Sequence, residues 1–226
     1  MSVKPEIELT ADGSHTLFVP SLNEHYHSVN VAVEESTHIL INTGLKACMK
    51  EEIQNFEVWF GTGLNAFLTI LEACKRQITI RYTSVEAYPL DKSITNKLNY
   101  TKDYTDEEKS LFYKLHEAQW NEEIRILPNL SLTKLKADFT QFDFSRLKNI
   151  VMVYFDACAP DKQPNLWTQY IFDNLYKTRT DSSVLVTYCA KGTVRRMMKQ
   201  AGFTVERLPG PPGKREMLRA TKNGLL

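Results

Sequence analysis

Two glycines one residue apart, Gly61 and Gly63, interrupt the run Glu57-Val-Trp-Phe-Gly-Thr-Gly-Leu-Asn65, and an acid, Glu86, closes a second apolar run further along. Glycine carries no Cβ, so this spacing lets a strand turn sharply into a helix whose first backbone N–H groups face a ligand directly. An acid at the end of the next strand can grip a ribose, because a carboxylate accepts two hydroxyl donors at once. Nicotinamide dinucleotide and S-adenosyl-L-methionine both suit such a site. Counted from Gly61, Gly-Thr-Gly-Leu-Asn-Ala66 fits the dinucleotide spacing G-x-G-x-x-A. Counted from Glu57, the segment fits the E-x-G-x-G-x-G spacing of adenosylmethionine sites except at Trp59, where the first glycine should be. Without a ligand, the same residues make a tight strand-to-helix turn and nothing more.

A further acid stands where catalysis would need one. Asp156 ends the near-continuous apolar run Asn149 to Phe155, and open parallel sheets bind substrates at the carboxyl ends of their strands. Desolvation by that run would ready the carboxyl to orient a nucleophile and take its proton. Asp138 similarly ends the strand-like run Leu130 to Ala137. Cys158 lies beside Asp156, but no histidine in the motifs is placed to activate a thiol. The four cysteines, Cys48, Cys74, Cys158 and Cys189, form no C-x-x-C pair, so neither a metal site nor a disulfide framework is expected.

These residues require an alternation of strands and helices. The spacing predicts a strand ending at Val58 to Phe60, a helix over Leu64 to Cys74 and a β-branched strand over Gln77 to Val85. Pro89 suits the first turn of a helix running toward Leu98. Thr105 with Glu108 three residues on forms a capping-box pattern that opens a helix from about Asp106 to Trp120. Strands over Leu130 to Ala137 and Asn149 to Phe155, a helix from about Asn165 to Tyr176, a strand over Ser183 to Cys189 and a helix over Thr193 to Ala201 stopped by Gly202 complete the alternation. The end differs: Phe203 to Leu208 and Lys214 to Ala220 read as two strands joined by the Gly/Pro-rich loop Pro209 to Gly213, with no helix between, so they pair antiparallel. The fold class is therefore α/β, a doubly wound, mostly parallel sheet ending in an antiparallel hairpin. Residues 51–226 form that domain, and residues 1–50 form a small β-rich cap with strands at Thr16 to Pro20 and Val29 to Glu34 and a helix near His38 to Lys46.

At 226 residues and 42% hydrophobic, the chain can bury one substantial core. It contains no apolar stretch long enough to span a membrane, and its start lacks a signal-peptide pattern, so a soluble, cytoplasmic protein is expected. Its net charge of +1 conceals an asymmetry: Lys191 to Leu226 carry nine Lys or Arg against two Glu, a net +7. Lys191, Arg195, Arg196 and Lys199, followed by Lys214, Arg215 and Arg219, are more than one helix needs for solubility and point to a phosphate-rich partner.

The chain resembles the stand-alone MnmD type of tRNA methyltransferase and the methyltransferase half of bifunctional MnmC. The residues carrying the resemblance are His25-Tyr-His-Ser28, Phe60-Gly-Thr-Gly-Leu-Asn65, Glu86 before Pro89-Leu90, Asp138, Phe155-Asp156, Ala159-Pro160, Pro164-Asn-Leu-Trp167, Arg195-Arg196, Ala201-Gly-Phe203 and Lys214-Arg-Glu-Met217. The resemblance implies a class I methyltransferase fold and transfer of a methyl group from S-adenosyl-L-methionine to the aminomethyl nitrogen of a wobble uridine in tRNA. By that resemblance Gly61, Thr62, Gly63 and Asn65 approach the cofactor, Glu86 its ribose and Asp138 its adenine, while Tyr26, His27 and Ser28 wall its methionine end unless Tyr26 and His27 only pack. Asp156 is the catalytic residue and also borders the cofactor. Lys214, Arg215, Arg195 and Arg196 hold tRNA phosphates, and Trp167 stacks on a base unless it serves the core. An oxidase or another wobble-uridine modification enzyme, acting separately, supplies the amine. Trp59, and Ala157-Cys158 in place of Gly-Phe after the acid, depart from the family pattern. Two alternatives follow: a catalytically inactive tRNA-binding module, and a nicotinamide-dependent Rossmann oxidoreductase using the Gly61 spacing.

Overall fold

The computed structural model describes residues 4–29 and 31–223. The chain begins with a three-stranded antiparallel sheet of β1 (Glu6–Leu9), β2 (His15–Val19) and β3 (Glu24–His25). Helix α1 (Ala32–Ser36) continues into a π-helical turn over Thr37–Asn42. There follow β4 (Glu52–Val58), α2 (Leu64–Arg76), β5 (Thr79–Glu86), α3 (Lys92–Thr95), α4 (Asp106–Glu117), β6 (Glu123–Leu127), β7 (Leu130–Lys136) and β8 (Ile150–Phe155). The chain closes with α5 (Gln169–Lys177), β9 (Arg179–Thr187), α6 (Gly192–Ala201), β10 (Thr204–Pro209) and β11 (Glu216–Thr221).

The large sheet has eight strands in the order β10-β11-β9-β8-β4-β5-β7-β6. The strands β7, β5, β4, β8 and β9 run parallel at its centre. Strand β11 enters antiparallel between β9 and β10, so the expected hairpin is present with its second strand on the inside. Every residue of β8 is buried, as a strand covered on both faces requires. Helices α1, α2 and α4 cover one face over a core including Phe67, Tyr82, Phe112 and Tyr154, while α5 and α6 cover the other over Phe56, Phe155 and Phe172. Alternation along β4 sends Phe56 and Val58 to the second face, and Asn55 and Glu57 toward α2.

Local chemistry sets the ends of the elements. Thr105 and Glu108 form the expected capping box at α4, with the Glu108 side chain 2.9 Å from the Thr105 N–H. Gly202 stops α6 at φ 112°, where an added Cβ would lie 2.8 Å from the Tyr176 ring.

Three expectations change. The Val29 to Glu34 segment is not a strand: Ala32 begins α1, and Asn30 lies outside the described residues. Its alternating valines suggest period two, but Ala32, Glu35, Ser36 and Ile39 are buried at helical spacing. The helix after Pro89 is a single turn, Lys92–Thr95, and it starts later than expected, at Asp91, whose side chain accepts the Ser93 N–H at 2.7 Å as the N-cap. Strand β6, antiparallel at the sheet edge, is additional, which makes β8 the fifth strand of the large sheet in chain order. Its charged Glu123 and Arg125 suit an exposed edge.

Candidate active site

The glycine turn leaves β4 and enters α2 through three left-handed residues, Trp59 at φ 76°, Gly61 at 52° and Gly63 at 74°. Trp59 therefore takes a conformation that only glycine adopts without cost, which is why the spacing asks for glycine there. A Cβ on Gly61 would lie 3.0 Å from the Tyr26 ring, and one on Gly63 3.0 Å from His116 Nε2. Two imidazoles clamp the residue between them: His27 Nε2 is 3.0 Å from Thr62 Oγ1 and His116 Nε2 is 3.1 Å from the Thr62 carbonyl oxygen. Desolvation pushes both histidines down to about 4, so each is neutral at pH 7.

Glu86 closes β5 beneath this turn. Its Oε2 accepts the Gly61 N–H at 3.1 Å and its Oε1 accepts the Tyr88 N–H at 2.8 Å. Burial raises its pKa, against the opposing pull of those bonds and of the Ala87 N–H. The carboxylate lines the cleft as an acceptor.

Asp156 follows β8, and the Asn65 side-chain N–H donates to its Oδ2 at 2.9 Å. The first turn of α2 thus holds the end of the neighbouring strand. Burial, assisted by the field of Glu35 and opposed by the Asn65 bond and Lys214, pushes Asp156 up to about 7. Below lies Glu57, wholly buried, with Tyr82, Ser84 and Asn65 as its polar neighbours and no well-formed bond to either oxygen. Burial pushes it up to about 8, so Glu57 holds a proton at neutral pH and Asp156 is the carboxyl poised to change charge.

A cleft of ≈ 820 Å³ joins these groups, with Trp59, Glu86 and Asp156 on its floor and Tyr26, Ser28 and Glu35 arriving from the N-terminal segment. That volume suits a cofactor together with part of a substrate. The turn itself is buried, with Tyr26 and His116 packed against Gly61 and Gly63 and only a recess of ≈ 20 Å³ beside Gly61, Thr62 and Asn65, so the fit to an adenosyl cofactor rests on the cleft and the Glu86 carboxylate that lines it.

The remaining expected residues separate. Lys214 lies in the cleft wall, paired with Glu35 and 4.1 Å over the Tyr188 ring. Trp167 is a core residue: it is 5% exposed, packs on Phe155 and Phe172, and donates its indole N–H to the Cys158 carbonyl at 2.7 Å. It supports the Asp156 loop from behind and cannot stack on an incoming base. Asp138 lies outside the cleft lining, exposed, with Oδ1 capping the next turn by accepting from the Thr140 N–H and hydroxyl, each at 2.8 Å. Arg196 and Arg215 are exposed and Arg195 is half-buried; among the described residues none of the three is in an ion pair, whereas Lys191, Arg207 and Arg219 are. Since α6 follows the carboxyl end of β9, its first turn rises on the side of the sheet that bears the cleft.

Sequence reasoning passed over Glu35, Tyr188 and His116. Glu35 was legible as the one acid on the buried side of the Ala32, Ser36, Ile39 helical pattern. Tyr188 and His116 carry no local signal, because folding alone brings them to the loop.

A parallel sheet with a reversed penultimate-position strand, a glycine turn after its first strand and an acid closing the second define a class I, adenosylmethionine-binding α/β fold. The chain belongs to the S-adenosyl-L-methionine-dependent methyltransferase family, whose profile matches residues 98–223. It is 26% identical over 96% of its length to the tRNA 5-methylaminomethyl-2-thiouridine biosynthesis bifunctional protein MnmC of Pseudoalteromonas atlantica, and 29% identical over 85% to the Leptospira borgpetersenii protein of that name. It spans about a third of the length of these relatives, 34% and 31%. The crystal structure of MNMC2 from Aquifex aeolicus superimposes with a TM-score of 0.82 over 98% of this chain and 72% of that one, at 23% identity. Among the described residues no helix is long and apolar enough to cross a membrane.

Proposed function

We propose that the chain methylates the aminomethyl nitrogen of 5-aminomethyl-(2-thio)uridine at the wobble position of tRNA, giving the methylaminomethyl form. The substrate is carried over from the MnmC relatives, which are named for tRNA 5-methylaminomethyl-2-thiouridine biosynthesis. The observation that carries the reaction is the Asp156 carboxyl, desolvated yet open to the cleft and aligned by Asn65 from the cofactor turn.

Bound S-adenosyl-L-methionine supplies an electrophilic methyl group on a sulfonium sulfur. Glu86 would hold the ribose hydroxyls, and Gly61, Thr62, Gly63 and Asn65 would border the cofactor from the turn. Tyr26 and Ser28 would close its methionine end, with residues 1–50 acting as a cap. An ammonium has no lone pair to offer, so the amine must lose a proton before or during attack. Asp156 orients the nitrogen and accepts that proton; positioned general-base help of this kind contributes on the order of 10²–10⁴ in rate. Arg195, Arg196 and Arg215 would meet tRNA phosphates around the rim. A separate oxidase or upstream modification enzyme supplies the amine, and the cytoplasm, where tRNA is modified, is the compartment this reading implies.

The test is transfer of labelled methyl to tRNA bearing the aminomethyl uridine. The wild type should label the wobble uridine, and Asp156→Asn should lose ~10²–10⁴ of the rate while still binding S-adenosylhomocysteine. In the wild type the rate should rise as pH increases through about 7, where Asp156 ionises. Binding of tRNA without methyl transfer would favour the inactive binding module instead.

A further inference from the structure

Glu35 and Lys214 form a charge pair that neither the sheet nor the cofactor turn requires. Glu35 comes from α1 and Lys214 from the loop before β11, and they meet in the cleft wall. Glu35 is 7% exposed, and taking a carboxylate that far from water is costly unless the charge is used.

The pair is held firmly in place. The Ser28 N–H donates to Glu35 Oε2 at 2.9 Å, and Lys214 donates to Oε1. The Lys214 ammonium sits 4.1 Å over the Tyr188 ring, whose hydroxyl donates to the Ala157 carbonyl at 2.8 Å, directly beside Asp156. Both charges act on the Asp156 carboxyl, Glu35 raising its pKa and Lys214 lowering it, so the pair and the acid share one end of the cleft.

The open valences follow from the side-chain chemistry. An ammonium has three donors and a carboxylate about four acceptor sites. Among the described residues one Lys214 donor and two Glu35 acceptor sites are engaged, so both groups retain hydrogen-bonding capacity in the wall of the cleft they line.

That arrangement is complementary to the edge of a uracil ring, where the O4 acceptor adjoins the N3–H donor. The C5 substituent neighbours O4. With the C5 aminomethyl group at Asp156, O4 comes next along the wall and N3–H after it. We propose that Lys214 and Glu35 form the base-reading subsite of the cleft: Lys214 donates to O4 and Glu35 accepts N3–H, selecting uracil over cytosine. This rests on the methyl-transfer reading above and names the part of the substrate that the pair reads. Cytosine reverses the order, presenting an amino donor to Lys214 and an unprotonated N3 to Glu35. The C2 edge is unread by the pair, so oxygen and sulfur there are accepted alike.

The test compares synthetic anticodon stem–loops carrying 5-aminomethyluridine, its N3-methyl derivative or 5-aminomethylcytidine at the wobble position, scored by kcat/KM for methyl transfer. The wild type should prefer the uridine over both others by on the order of 10- to 100-fold, the discrimination expected of one paired base edge. Glu35→Gln, which keeps an oxygen for the Ser28 N–H, and Lys214→Met should compress those ratios toward unity. A purely structural role would instead lower all three substrates by one factor and leave the ratios intact. If the wild type methylates the uridine but treats the other two equally, the base-reading inference is overturned and the methyltransferase reading stands. If no substrate is methylated, both fall. The wild-type ratios need no variant, so a misfolded mutant cannot obscure the answer.

Discussion

Replacing Glu57 with Gln isolates one buried proton. Glu57 is wholly buried and pushed up to about 8 from an ordinary 4.5, so the folded chain keeps its proton where the unfolded chain has lost it. In that window stability falls as pH rises, by ~1.4 kcal/mol per unit. Below about pH 6.5 the two clamp histidines oppose this trend. His27 and His116, pushed down to about 4, stay neutral in the fold while the unfolded chain protonates them, so their share of stability grows with pH and is complete by about 6.5. From there to about 8 the Glu57 contribution runs unopposed by them, and about 1.5 units at ~1.4 kcal/mol each gives ~2 kcal/mol. Glutamine keeps the shape and a donor but cannot ionise. Relative to the wild type, Glu57→Gln should therefore gain ~2 kcal/mol between pH 6.5 and 8, or ~4–8 °C in unfolding midpoint for a chain of this size. Asp156 and Glu86 titrate in both proteins, so their shares largely cancel in the difference. Thermal unfolding of the two proteins at closely spaced pH values, without cofactor, reads it directly. Parallel midpoint curves would show that Glu57 is already ionised in the fold, and the division of labour that leaves Asp156 as the titrating base would lose its support.

Substitutions at three further positions test the turn and its supports. Trp59→Gly should be more stable than Trp59→Ala by ~1 kcal/mol in chemical unfolding, because alanine keeps the cost of φ 76° and loses the indole packing, whereas glycine removes that cost. Calorimetry should also find adenosyl-cofactor affinity undiminished in Trp59→Gly; a large loss would make the indole part of the binding surface. Gly63→Ala should cost ~1–3 kcal/mol and weaken cofactor binding, since it combines φ 74° with a 3.0 Å approach to His116; an unchanged unfolding midpoint would refute the clamp. Lys134→Met should destabilise by ~2 kcal/mol, because the buried Lys134 ammonium donates to the Leu115 and His116 carbonyls at 2.7 and 3.2 Å, closing the end of α4 that carries His116; equal or greater stability in urea would show that desolvating the lysine outweighs those bonds.

Most of the sheet was legible because its strands speak locally. Ile150–Phe155 is apolar throughout, α2 and α4 carry their own periodicity and caps, and the absence of a helix between β10 and β11 forces them antiparallel. What could not be read was the insertion of β11 between β9 and β10, since that choice lies in tertiary pairing and leaves no local mark. The valines at 29, 31 and 33 misled for a related reason: β-propensity is a preference for a half-buried pleated surface, and contact with α2 overrode it.

The site divides along the same line. Gly61, Gly63, Glu86 and Asp156 were legible because each sits at the end of an element, where the topology fixes which way a side chain faces. Trp167 was read by residue type alone: an indole suits a base, but this one is in the core, while the pairing of Lys214 with an acid 179 residues earlier leaves no local mark. Glu35 and Lys214 gain meaning only together. In the sequence the first is an acid just past an expected strand and the second one charge of a basic tail, and folding brings them together as acceptor and donor in the cleft wall. Glu86 suits an adenosyl cofactor in general, so on the proposed reading the choice among methyl acceptors falls to this pair. The N-terminal segment contributes the acid and the terminal hairpin loop the cation; because that segment also sets Tyr26 and His27 against the turn, only changes confined to Glu35 and Lys214 separate substrate choice from cofactor binding.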